Sequence, residues 1–190
     1  LQRRRQRQMC IRDRLKIGYK VGIPVRYHDF ESLHQIFNAK MYEFHMSDRD
    51  LSLSCDKYIH KRYENVDLIV HAVEQYEDGF ILDLASKDNF IREKSFKELD
   101  RLFKHIDKLR TYFKKNNKVP VVINPGGFTT DNFLNDNEYN SCLKRMAISL
   151  EELNKLYPDY DILPQTMPPF PWHQGGRSYH NVLTLSLIHI

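Results

Sequence analysis

Short continuous apolar runs alternate along this chain with longer stretches in which apolar residues recur every three or four positions. The runs are Lys20 to Tyr27, Met41 to Met46, Asp67 to Ala72, Pro120 to Asn124 and Tyr160 to Leu163. Each is bounded by polar, Gly or Pro residues, which predicts five strands. Pro24 argues against a central position for the first, because proline has no N–H for a sheet ladder. The run at 67–72 is rich in β-branched residues and reads as a strand buried on both faces.

Between the runs lie three helical patterns. Phe30, Leu33, Ile36 and Phe37 share one face of a short helix, with Asp29 placed to cap it. Phe96, Leu99, Leu102, Phe103, Ile106, Leu109 and Phe113 form the stripe of a longer helix that follows Asp88. From Glu138 to Leu156, the residues Tyr139, Cys142, Leu143, Met146, Leu150 and Leu153 face inward. Strands alternating with helices predict an α/β fold of parallel βα units. Polar groups stand at the C-terminal end of every strand, the layout of a (β/α)8 TIM barrel, whose loops on that face build the site. A whole barrel takes about 250 residues, so the expectation is an incomplete one, roughly the first five βα units. An open doubly wound sheet is the alternative, although Pro125-Gly126-Gly127 lacks GxGxxG spacing and follows the fourth strand, not the first.

The two ends change the charge argument. Residues 1–14 back-translate onto a transposase-type sequencing adapter, and residues 185–190 onto the reverse complement of its mosaic end. Both are read as translated adapter rather than native sequence, leaving 15–184 as the partial barrel. The chain's formal net charge is +4. Arg3, Arg4, Arg5, Arg7, Arg12 and Arg14 against Asp13 place +5 of it in the first fourteen residues. The last six contain no Lys, Arg, Asp or Glu, so 15–184 carries −1. The basic balance that would suggest nucleic acid therefore lies outside the body, and no nucleic-acid partner is expected. No apolar run approaches the ~20 residues of a membrane span. Cys55 and Cys142 are isolated, without CxxC spacing, which suggests neither zinc site nor disulfide, and a reducing, cytoplasmic compartment is expected.

The strand ends supply the candidate chemistry: Arg26 and His28, Glu43 and His45, His71 and Glu74, Asn124, and Gln165. Imidazole titrates near neutral pH and shuttles protons, and an Arg fork holds carboxylate or phosphate. Together they suit an anionic sugar or phosphate, with His71 and His45 moving protons and the others binding. The turn at Gly126 and Gly127 reads either as tight-turn geometry or as backbone N–H groups approaching a substrate oxyanion. The proline-rich stretch after the fifth strand is expected to form a stiff loop presenting Trp172, His173 and Arg177. His34, His60 and His105 lie away from the strand ends and read as structural residues.

Three stretches resemble the xylose-isomerase-like barrels of the sugar-phosphate isomerase/epimerase superfamily. They are Val70-His71-Ala72, then Leu82-Asp83-Leu84-Ala85-Ser86 with Arg92 and Ser95, and Val122-Ile123-Asn124-Pro125-Gly126-Gly127. Arg26-Tyr27-His28-Asp29, Glu43-Phe44-His45 and the loop from Pro164 to His173 are similar to a subgroup attached to N-acetylneuraminate (sialic acid) synthase family proteins. That resemblance implies an isomerase or epimerase acting on an acidic or phosphorylated sugar, covalently linked to synthase and antifreeze-like domains. It also implies a divalent-metal site, with His71 as one ligand. Asn124 stands where a His is common and Gln165 where a Glu is expected, and losing the carboxylate weakens the site for a hard cation. A non-catalytic sugar-recognition or scaffolding module is the second functional expectation.

Overall fold

The computed structural model describes residues 21–130, 132–167 and 178–182. In chain order the elements are β1 (Gly22–Val25), α1 (Phe30–Phe37), β2 (Met41–His45), β3 (Asp67–His71), α2 (Asn89–Leu109), β4 (Val119–Ile123), β5 (Phe128–Thr129), α3 (Asp136–Leu156), β6 (Tyr160–Pro164) and β7 (Tyr179–His180). Five of the strands form one parallel sheet in the order β1-β2-β3-β4-β6. The fold is α/β, and these strands are laid down in sequence order with no reversal. β1 stands at an edge of this sheet, which accommodates Pro24. The β2–β3 connection contains two short 3-10 turns, Arg49–Ser52 and Cys55–Lys57, in place of an α-helix.

Strand alternation sorts the sheet into two faces. Tyr42 and Phe44, Leu68 and Val70, Val121 and Ile123, and Tyr160 and Ile162 are buried in one core with Leu99, Leu102, Phe103, Ile106 and Leu109 of α2. The other face carries Glu43 and His45, Ile69 and His71, Val122 and Leu163. It has less cover: Leu163 is 46% exposed.

The helix starts follow local chemistry. Asp88 caps α2 by accepting from the Phe90 N–H at 2.8 Å. Asn135 caps α3 by accepting from the N–H groups of Asn137 and Glu138, while its own amide donates to Glu138. Asp29 does not cap α1. Its carboxylate turns back to the Arg26 N–H at 2.7 Å. Ile36 and Phe37 also depart from the expected buried face, at 71% and 58% exposed, and only Phe30 of that helix is fully buried. The helix meets the core through Phe30, Leu33 and His34, whose Nδ1 lies 3.1 Å from the Tyr42 hydroxyl of β2, while Ile36 and Phe37 turn outward. β5 and β7 pair antiparallel as a separate two-stranded ribbon that the local pattern did not indicate.

Candidate functional site

The register of the sheet creates the site. His45 pairs directly with His71 across β2 and β3, so two imidazoles that end their strands point the same way. Their rings stack, with centroids 4.6 Å apart and planes 14° apart. Glu43, two residues back on the same face of β2, holds His45: its Oε1 lies 2.8 Å from His45 Nε2. From the far side of the sheet, Gln165 reaches His71, with Oε1 2.8 Å from Nε2. Its position follows from the Gln165 N–H donating to the Ile123 carbonyl, which extends the β4–β6 ladder by one step. The cleft so formed is lined by Arg26, His45, Ser47, His71, Glu74 and Gln165.

Hydrogen-bond logic sets the tautomers. His71 Nδ1 lies 3.0 Å from the Ala72 carbonyl, which can only accept, so Nδ1 carries a proton. A neutral ring then offers Nε2 as an acceptor, and the Gln165 side chain satisfies it with its NH2 group after a half-turn of the terminal amide. A glutamate at 165 would instead require a doubly protonated ring. In His45, the contact to the Glu43 carboxylate places a proton on Nε2 and leaves Nδ1 as the base. Burial is the main cause that lowers the His45 pKa, and the neighbouring His71 lowers it further; Glu43 pulls the other way. Two stacked imidazoles resist holding two charges, so the pair is suited to carrying one proton at a time.

Some expected residues stand elsewhere. His28 is turned to solvent, its side chain 71% exposed and 3.9 Å from Asp29, and it does not line the cleft. The backbone N–H groups of the Gly126-Gly127 turn do not open toward a ligand there. Gly126 donates to Asn124 Oδ1 at 3.1 Å and Gly127 to Asp83 Oδ1 at 2.7 Å. The tight-turn reading therefore describes this segment. Both glycines have positive φ, 82° and 73°, and Asp83 also accepts from the Ala85 N–H. Asn124 is buried behind the turn, and Gly127 faces a separate cavity beside Ala85, Cys142 and Arg145. Trp172, His173 and Arg177 lie outside the described residues.

Other groups near the site were not singled out from the sequence. Asp50 lies 3.8 Å from Arg26 and accepts from Ser47 Oγ at 2.7 Å, so the charged loop after β2 forms one wall. Its signal was the run Ser47-Asp48-Arg49-Asp50. Asp83 gave a weaker one, a carboxylate inside an apolar stretch. Burial raises its pKa, against the two N–H groups it accepts from.

The residues present do not fit the divalent metal that the resemblance implies. Both ring nitrogens of His71 are engaged, and Gln165 brings an amide. Among the described residues, no group of three or more His, Cys, Asp or Glu side chains is arranged to hold a metal ion. No described helix is long and apolar enough to cross a membrane.

Two further histidines, His34 and His105, are built into the packing and, with His45, carry a pH signature. His105 is buried in α2, its Nε2 2.6 Å from the Tyr27 hydroxyl, and burial lowers its pKa. Burial likewise lowers the pKa of His34 and His45. An unfolded chain takes up protons at these rings near the ordinary value of 6.5, while the folded chain resists. Lowering the pH below that value therefore favours unfolding. Thermal melting midpoints should fall as the pH drops from about 7 to about 5, and less steeply for the His105→Asn chain.

No family model matches this chain, and no curated protein matches it.

Proposed function

We propose that the strand-end cleft is the proton-transfer site of a sugar isomerase or epimerase acting on an acidic or phosphorylated sugar. We further infer that the sheet is part of an incomplete (β/α)8 barrel. Sequential parallel strands, a second face left half-covered at Leu163, and polar groups gathered at the strand C-terminal ends support this architecture. The observation that carries the functional reading is the His45–His71 stack with Glu43 fixed on His45. A base held in one tautomer by a carboxylate is what abstraction of a proton beside a carbonyl requires. His45 Nδ1 removes the proton, and Glu43 steadies the imidazolium that forms. Arg26 at the mouth holds the substrate's phosphate or carboxylate. The resemblance supports assigning such a reaction to sialic-type acid metabolism, within a larger synthase-family protein.

One observation favours a second reading. His71 has both nitrogens occupied and an amide for a partner, which suits sugar recognition without chemistry. Solvent exchange separates the two. The chain is incubated in D2O with a panel of hexose phosphates and acidic sugars, and the C2 proton is followed by NMR. The enzyme reading predicts loss of that signal, slowed by about 100-fold or more in His45→Gln. Saturable binding without exchange selects the recognition module, and absence of both binding and exchange contradicts both.

A further inference from the structure

At the pole opposite the histidine pair, the segments leading into β3 and β4 enclose a cleft of about 550 Å3, within the size range of small-molecule sites. Two backbone hydrogen bonds build it. The Tyr63 N–H donates to the Tyr112 carbonyl and the Lys114 N–H to the Val66 carbonyl, at 2.5 and 3.0 Å. These bonds bring Arg62 beside Lys114 and Lys115, about fifty residues away along the chain. Arg110 completes the lining cations, and the only lining carboxylate among the described residues is Glu64.

Ordinary surface pairing accounts for part of this charge. Lys114 Nζ lies 3.1 Å from the Asp67 carboxylate. Arg110 is held loosely, Nη1 3.7 Å from Asp107 and Nη2 3.8 Å from Asp159, and a cation there also matches the C-terminal end of α2. Neither explanation reaches Arg62 or Lys115. Both are exposed, both lie outside any helix, and neither has an ion-pair partner among the described residues. With Lys114 and Arg110 offset by these aspartates, Arg62 and Lys115 against the single lining carboxylate of Glu64 leave the cleft a local positive excess in a segment, 15–184, of formal charge −1. Thr111 and Asn116 complete the polar lining, the Thr111 hydroxyl donating to the Lys108 carbonyl and the Asn116 amide to Asp67.

We propose that this cleft binds a compact polyanion: inorganic polyphosphate, or the polyphosphate group of a small phosphorylated metabolite. Guanidinium forks suit phosphate oxygens, and the lysines add point charges. Such a site stands apart from the histidine cleft and does not depend on its chemistry.

Calorimetric titration of the full chain with tripolyphosphate, at low and at physiological ionic strength, tests this. The Arg62→Gln/Lys115→Gln chain is compared with a Lys97→Gln/Lys144→Gln chain, which removes equal charge from exposed positions on α2 and α3. The six arginines between positions 3 and 14 are common to all three chains, so they cancel. Expected is saturable binding that weakens with salt and falls by about tenfold or more in the Arg62/Lys115 chain alone. A nucleoside triphosphate binding more tightly than tripolyphosphate identifies a metabolite as the occupant, and equal binding identifies the polyphosphate group itself. Three results overturn the proposal. They are absence of saturable binding, equal weakening in the Lys97/Lys144 chain, and tighter binding of single-stranded DNA lost in the Arg62/Lys115 chain.

Discussion

Replacing Phe30 with alanine should cost about 3–5 kcal/mol of folding stability, enough to leave the domain close to unfolded at room temperature. Phe30 is fully buried where α1 meets the sheet. Its ring lies 5.1 Å from Tyr42, 5.0 Å from Phe44, 4.9 Å from Tyr63 and 5.5 Å from Phe113, centroid to centroid. Those four belong to β2 and to the segments entering β3 and β4, so one side chain ties three parts of the core. Truncation removes the transfer energy of the ring and leaves a cavity that rigid aromatic neighbours fill poorly. Phe37→Ala on the same helix provides the comparison. Its ring is 58% exposed, and its loss should change stability by about 0.5 kcal/mol or less. Urea denaturation of both chains checks this, and equal effects would contradict the packing described.

Gly126→Ala should be similarly damaging for a different reason. At φ 82° an L-residue is strained, and a Cβ there would sit inside van der Waals contact with both the side chain and the Cα of Asp83. Because a backbone atom is among those struck, side-chain rotation cannot relieve the clash. The turn would have to move, breaking the bond from the Gly127 N–H to the buried Asp83 carboxylate. A loss of at least about 3 kcal/mol is expected, from strain together with a buried carboxylate deprived of a donor. Gly79 is a matched control, with φ 80° and nothing within 4 Å of its added Cβ. Gly79→Ala should cost only the left-handed strain, about 1–2 kcal/mol. The difference between the two melting midpoints isolates the contact with Asp83.

These cases show which parts of the molecule the sequence exposes. Alternation in Met41 to His45 separates Tyr42 and Phe44 from Glu43 and His45, and the structure keeps that division. The α2 stripe was legible for the same reason, since periodicity records which face is buried. Gathering Arg26, His45, His71 and Gln165 required only parallel strands of matching register. What escaped depends on contacts between distant segments. The helical spacing of Ile36 and Phe37 could not reveal that α1 faces the sheet through Phe30, Leu33 and His34 instead. Asp83 bonds to Gly127 across forty-four positions, so the glycine turn looked equally suited to a ligand. The Phe128–His180 pairing joins two-residue strands with no periodicity to read. The basic cleft around Arg62 and Lys115 likewise exists only after the chain folds.

The central claim is that His45 and His71 form one proton-carrying pair facing an anionic sugar. Long-range 15N NMR of the imidazoles, recorded during titration with a hexose phosphate, tests it most directly. The account predicts a protonated Nε2 and bare Nδ1 for His45, the reverse for His71, and saturable perturbation of both rings, absent on titration of His45→Gln. Opposite tautomers, or saturable binding that leaves both rings unmoved, would contradict it.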